Sequence, residues 1–199
     1  MKCICLAAAM AASFPAAAQT MSVTSPIGNA FYRNGRQAPD FLDIAAASFT
    51  IAPTGLTFTV DVAGVLTSLP DVHGVQSAFF WTFPLDTDST TAPPGFPFPP
   101  PNALPPEFIA YAIWDGRAFH AYFVDRRPAL SGAAMVSTEI PVEVSGDELR
   151  ITVPASLASQ VVPDDKARWR MSTGWWPADM QADRSVSFAD TTGWLPWPR

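Results

Sequence analysis

Seven consecutive residues, Leu56-Thr57-Phe58-Thr59-Val60-Asp61-Val62, alternate apolar and polar side chains without interruption. A period of two places Leu56, Phe58, Val60 and Val62 on one face and Thr57, Thr59 and Asp61 on the other, the pattern of a half-buried antiparallel strand. No long stretch of the chain carries the helical period instead. The 21 prolines and the low content of charged residues, 15%, also argue against a helical protein.

The rest of the chain reads as strand, turn, strand. Ile44 to Ile51 is expected to partner Leu56 to Val62 across a turn at Pro53-Thr54-Gly55. Val75 to Phe83 is apolar with little alternation, which predicts a strand covered on both faces. Phe108 to Trp114 and Arg117 to Val124 flank Asp115-Gly116, a pair suited to positive φ, and predict a hairpin with a two-residue turn. Counting outward from that turn pairs Trp114 with Arg117, Tyr111 with His120, and Ile109 with Tyr122. Phe108, Ala110, Ala112, Trp114, Phe119, Ala121 and Phe123 then form a hydrocarbon face, assigned to the core. The opposite face mixes aromatic rings with polar tips. A second hairpin joins Ile140–Val144 to Leu149–Val153 through Ser145-Gly146-Asp147, and Pro154 starts a helical turn through Ala158. Arg168 to Thr173 is expected as a last strand, followed by an irregular, Trp-rich tail.

Short strands, hairpin turns and no βαβ pattern predict an all-β fold. The expected architecture is an antiparallel β-sandwich, jelly-roll or immunoglobulin-like, of about eight strands. One segment departs from it. From Pro93 to Pro106 the chain is dominated by proline, which lacks the N–H that a ladder needs, and an extended surface loop is expected.

The chain start reads as an export signal over residues 1–18. Lys2 supplies the positive charge, Ile4 to Phe14 the apolar stretch, and Ala16-Ala17-Ala18 the small-x-small pattern, with cleavage expected before Gln19. The apolar stretch is shorter than the ~20 residues that span a bilayer. Cys3 precedes it and Cys5 lies at its very start, and both would leave with the signal. The mature chain, residues 19–199, would have neither disulfide nor thiolate metal site and would be secreted or periplasmic, folded as one domain.

The formal charge of −6 and the lack of a basic run disfavour nucleic-acid binding. No later segment is long and apolar enough to cross a membrane as a helix. The catalytic inventory is thin: there is no cysteine nucleophile in the mature chain, only His73 and His120, and no nucleophile elbow, zinc-binding helix or phosphate loop. A glycosidase needs two carboxylates flanking a bond, and the one dense acidic cluster sits at a strand end.

Three sets of residues could bind a ligand. Asp86 and Asp88, beside Thr87, Ser89 and Thr90, could converge on calcium with help from other loops, or could simply close an Asx-type turn. Tyr111, His120 and Tyr122 share one sheet face; rings with hydrogen-bonding tips suit a sugar, unless a second layer covers them. Trp175, Trp176, Trp194 and Trp197 lie among Gly and Pro and could supply a stacking platform.

The order of these pieces resembles a known group. Asp43-Ile44, Gly55 to Val60, Ala63-Gly64, Leu85 to Asp88, Tyr111 with Trp114-Asp115-Gly116, and Leu149 to Pro154 look like the DOMON-like sandwich group, which includes family 9-like carbohydrate-binding modules and b-type haem domains. The resemblance implies a sugar or haem ligand. The proline insertion falls where the group's acidic loop would continue. The leading expectation is a non-catalytic, exported carbohydrate-binding module. A haem site would need His120 with Met135 or Met171 as axial ligands. A third reading is a cell-envelope interaction protein that docks a partner through the proline-rich loop.

Overall fold

The structure, a computed structural model, describes residues 17–32, 34–71, 76–88, 106–130, 132–177 and 187–199. The expected signal peptide up to residue 16, His73, and the proline-rich loop up to residue 105 lie outside the described residues.

The chain forms two antiparallel sheets packed face to face. In chain order the strands are β1 (Gln19–Thr24), β2 (Ile44–Ala52), β3 (Gly55–Val62), β4 (Gln76–Asp86), β5 (Phe108–Trp114), β6 (Phe119–Asp125), β7 (Val136–Ile140), β8 (Val142–Ser145), β9 (Glu148–Pro154), β10 (Arg168–Trp169), β11 (Ser172–Pro177), β12 (Ser187–Thr191) and β13 (Leu195–Pro196). Two single-turn helices, α1 (Arg127–Leu130) and α2 (Ala155–Ala158), complete the regular structure with a 3-10 turn at Asp40–Leu42. The smaller sheet runs β1-β2-β3-β9-β8 and the larger runs β12-β11-β4-β5-β6-β7, with β10 on β4 beyond β11 and β13 on β10. The all-β antiparallel sandwich is as the alternation pattern predicts. The described strands number thirteen rather than about eight, because proline and bulges cut several into short pieces.

The two inner faces meet in one core. Leu56, Phe58, Val60 and Val62 are all buried there, as their spacing requires. Phe49 stacks on Phe58 across β2 and β3 with ring centres 4.6 Å apart, and Trp169 and Trp197 meet Phe49 edge-on at 5.7 and 4.8 Å. Phe108 and Phe123 stack at 5.5 Å from the opposite sheet. Such aromatic pairs contribute about 0.5–1.5 kcal/mol each beyond area burial.

Three local expectations need correction. The β5–β6 hairpin pairs Ile113 with His120 and Tyr111 with Tyr122, two positions away from a two-residue turn. Its loop is Asp115 to Ala118, because the Asp115 carboxylate accepts hydrogen bonds from the N–H groups of Arg117 (2.8 Å) and Ala118 (2.9 Å) and so holds both in the turn. A slip of two keeps every side chain on its face, so the hydrocarbon face still lines the core. Next, Ile140 to Val144 is not one strand. Pro141 interrupts it, leaving β7 on the larger sheet and β8 on the smaller. Last, the Arg168–Thr173 strand breaks between Trp169 and Ser172, and the tail at Gly174 to Pro177 is strand, not irregular.

Candidate functional site

The outward face of the larger sheet gathers most of the polar and aromatic chemistry. On β4 the odd positions Phe79, Trp81, Phe83 and Leu85 enter the core, so Ala78, Phe80, Thr82, Pro84 and Asp86 face outward. Register then fixes the neighbours. Trp176 lies opposite Ala78, Gly174 opposite Phe80, and Ser172 opposite Thr82. On the other side Ile113 flanks Phe80, Tyr111 flanks Thr82 and Ile109 flanks Pro84. Tyr122 and Glu139 continue the Thr82–Tyr111 row onto β6 and β7.

One end of this face is an aromatic strip. The Trp176 indole lies over Phe80 with ring centres 5.4 Å apart and planes 29° apart, and Phe80 is fully buried beneath it. Trp176 meets Tyr111 edge-on at 5.7 Å, and Tyr111 meets Tyr122 at 5.4 Å. Phe188 of β12 closes the other side of Phe80 at 5.6 Å. Trp176, Tyr111 and Tyr122 are half-buried. Burial, and then the neighbouring Tyr122, raises the Tyr111 pKa, opposed by its hydrogen bond with Ser137. His120 borders the strip, with Nε2 3.7 Å from Asp115 and Nδ1 3.5 Å from Glu139.

The fold therefore brings together Tyr111, Tyr122, His120 and Trp176. It does not bring in the other tryptophans. Trp175 is adjacent to Trp176 in a strand, points the opposite way and packs against the core. Trp197 is 8% exposed and belongs to the core. Trp194 is half-buried away from the strip, with the guanidinium groups of Arg168 and Arg170 over its ring at 4.9 and 4.7 Å. It lines a cavity of about 540 Å³ with Trp197, Met21, Lys166, Arg168 and Arg199.

The other end of the face is ionic. Asp86 is 3% exposed, and its Oδ2 accepts from Arg168 Nε at 2.7 Å and lies 2.6 Å from Arg168 Nη2. Burial raises the Asp86 pKa despite Arg168, and Glu107 and Asp164 push the same way. Asp88 lies two residues beyond, half-buried. Among the described residues no group of three or more His, Cys, Asp or Glu side chains is arranged to hold a metal ion. Glu107, 4% exposed, accepts from the Thr87 N–H at 2.7 Å and from its hydroxyl at 3.2 Å.

Between the two ends sits Arg170, which sequence reasoning missed. Its backbone N–H donates to Pro84 O at 3.3 Å, so it lies across from Pro84 on the same face as Thr82 and Asp86. Its Nε and Nη2 are buried without a hydrogen-bond partner among the described residues, as are Thr82 Oγ1 and Asp86 Oδ1. Burial, followed by repulsion from Arg168, lowers the Arg170 pKa to about 10. The signal in the sequence is Arg168-Trp169-Arg170-Met171, whose own alternation sends both arginines outward and Trp169 and Met171 into the core.

The pair needed for haem is not assembled. Met171 is buried between the sheets, whereas His120 faces outward. Met135 is 55% exposed and precedes β7, whose first residue pairs with Asp125 at the far end of β6 from His120.

Among the described residues no helix is long and apolar enough to cross a membrane. Comparison with known proteins found no matching family profile, no matching curated protein and no matching solved structure.

Proposed function

We propose that the protein is an exported, non-catalytic module that binds a saccharide on the outward face of its larger sheet. The observation that carries this reading is the continuous strip Trp176–Tyr111–Tyr122, bordered by His120, Glu139 and Ser137. A pyranose presents an apolar C–H face and a rim of hydroxyls. Flat rings beside hydrogen-bonding groups complement both. Phe80 beneath Trp176 holds the indole in place, so little side-chain freedom is lost on binding. The export reading of residues 1–18 and the resemblance to carbohydrate-binding sandwiches point the same way.

The test is a glycan array followed by titration of tryptophan fluorescence. A binding glycan should change the emission of the folded protein, and Trp176→Ala should weaken that glycan about tenfold or more, equivalent to ~1.4 kcal/mol. Trp194→Ala should leave it unchanged. Absence of binding across a broad array by folded protein refutes the reading.

A further inference from the structure

We propose that the ligand of the aromatic strip is an amino sugar, its ammonium group held by the Glu139 carboxylate at the end of the strip. This rests on the saccharide reading of the strip and names its ligand class. Register puts Glu139 of β7 directly across from Tyr122 of β6, and Tyr122 directly across from Tyr111 of β5. Each is followed or preceded by a core residue, Ile140, Ala121 and Ala112 respectively, so all three share the outward face. Glu139 therefore stands one strand spacing, about 4.8 Å, beyond Tyr122. An ammonium on a sugar ring that covers Tyr122 comes within reach of that carboxylate, and the faces of the tyrosine rings attract the same cation.

The site is open to solvent. The Glu139 side chain is 67% exposed and the His120 side chain beside it 37%. Among the described residues, Glu139 has one ion-pair neighbour, His120, whose Nδ1 lies 3.5 Å away and whose Nε2 lies 3.7 Å from Asp115. Both separations exceed the ~2.7–2.9 Å of a charge-assisted hydrogen bond, and one imidazole cannot neutralise two carboxylates.

Asp115 already serves its own turn, accepting from the N–H groups of Arg117 and Ala118, and the charge of Arg117 acts on it. That leaves Glu139 as the carboxylate for a ligand. No Lys or Arg pairs with it among the described residues, and the arginines of this face, Arg168 and Arg170, lie toward its other end beside Asp86 and Pro84. An acidic sugar would be repelled at Glu139. A neutral one would leave its charge unused, whereas an ammonium complements both the charge and the rings.

The experiment uses the mature protein, at mildly acidic pH where a sugar amine carries its proton. β-1,4-linked glucosamine oligomers are compared with glucose oligomers of the same linkage, which carry a hydroxyl in place of each amine. Wild type should prefer the amine form by about tenfold, the low end for a charge-assisted contact because Glu139 is exposed. Glu139→Gln should abolish that preference and keep the neutral affinity. Glu143→Gln removes a carboxylate that is 73% exposed on β8 of the smaller sheet, and it should keep the preference. Trp176→Ala should weaken both forms together. Equal affinity of wild type for both forms overturns the amine assignment and leaves the saccharide reading intact. A preference that survives in Glu139→Gln, or that Glu143→Gln reduces as much, also overturns it, the latter by showing mere attraction to an acidic protein. No binding by any glycan, with or without an amine, removes the saccharide reading itself.

Discussion

The Glu107 carboxylate holds both the backbone N–H and the hydroxyl of Thr87, at 2.7 and 3.2 Å. Nineteen residues, including the proline-rich segment, run between these two in the sequence. One buried side chain thus closes the base of the insertion where β4 leaves the sheet and β5 enters it. Glu107→Ala leaves a buried N–H without its acceptor. It should lower stability by about 2–3 kcal/mol, the range for losing a buried hydrogen bond to a charged acceptor. Thr87→Val keeps the N–H contact and loses only the longer hydroxyl bond, so it should cost about 1 kcal/mol. Urea denaturation of both variants measures the difference, and equal midpoints would show that the N–H contact contributes nothing.

Two tryptophans three residues apart should behave differently. Trp197 lies in the core against Phe49, whereas Trp194 is half-buried under two arginines. Trp197→Ala should cost about 3–5 kcal/mol, as large-to-small changes of buried aromatics do. Trp194→Ala should cost well under half of that. The comparison is made by chemical denaturation of both variants, and it fails if Trp194 proves the costlier loss.

The difference between those tryptophans was not legible in the sequence, where both sit among Gly and Pro. Burial at Trp197 comes from contact with Phe49, nearly 150 residues earlier, and no local pattern encodes that distance. Parity, by contrast, was legible wherever a strand was recognised. Leu56 to Val62 and the β5–β6 faces follow it because one face of each meets the other sheet. The hairpin register was not legible, since Asp115-Gly116 suits a two-residue turn and only the carboxylate's hold on Arg117 and Ala118 lengthens it. Trp176 could have been separated from Trp175 by the same parity had Gly174 and Pro177 not disguised β11. The ion pair of Arg168 with Asp86 spans 82 residues, and no local pattern encodes it.

Gly55 is required by its surroundings. It opens β3 with φ of +135°, and a Cβ there would stand 2.1 Å from the carbonyl oxygen of Val153 on β9. Backbone cannot yield as a flexible side chain would. Gly55→Ala should therefore cost more than about 2 kcal/mol, combining strain with displacement of the β3–β9 ladder. Gly35 also has positive φ, +80°, but a Cβ there would meet nothing within 4 Å, so Gly35→Ala should cost only about 1 kcal/mol. Thermal melting of the two variants separates steric from conformational cost, and equal losses would mean that the close approach to Val153 is relieved at no expense.

Stability should peak in mild acid. Asp190 joins β12 to the start of β2, accepting from Ile44 N–H at 2.9 Å and from Thr191 N–H at 2.7 Å. Burial raises its pKa in spite of those bonds, with Asp43 adding to the rise, and burial raises Asp86 likewise. A raised pKa means that the folded state holds the proton more tightly than the unfolded chain. The favourable contribution is therefore complete below the unfolded value, near 3.9, and is lost as pH rises through the higher folded value. Asp115 and Asp125 act in the opposite sense. The N–H groups of Ala118 and Arg117 lower the first, and Arg127 lowers the second against the effect of burial, so their contribution is lost only as pH falls below the ordinary carboxylate range. The urea midpoint should rise as the pH falls from neutral into mild acid, and fall again once the pH drops below the ordinary carboxylate range. Asp190→Asn should flatten the first slope and leave the acid fall in place. Its absolute stability at neutral pH is a poor readout, because an amide supplies one acceptor where the carboxylate supplies two. The slope carries the test: a wild-type midpoint that does not rise as the pH falls from neutral to the ordinary carboxylate range, or an Asp190→Asn slope equal to wild type, would show that burial of Asp190 is not felt by the folded state.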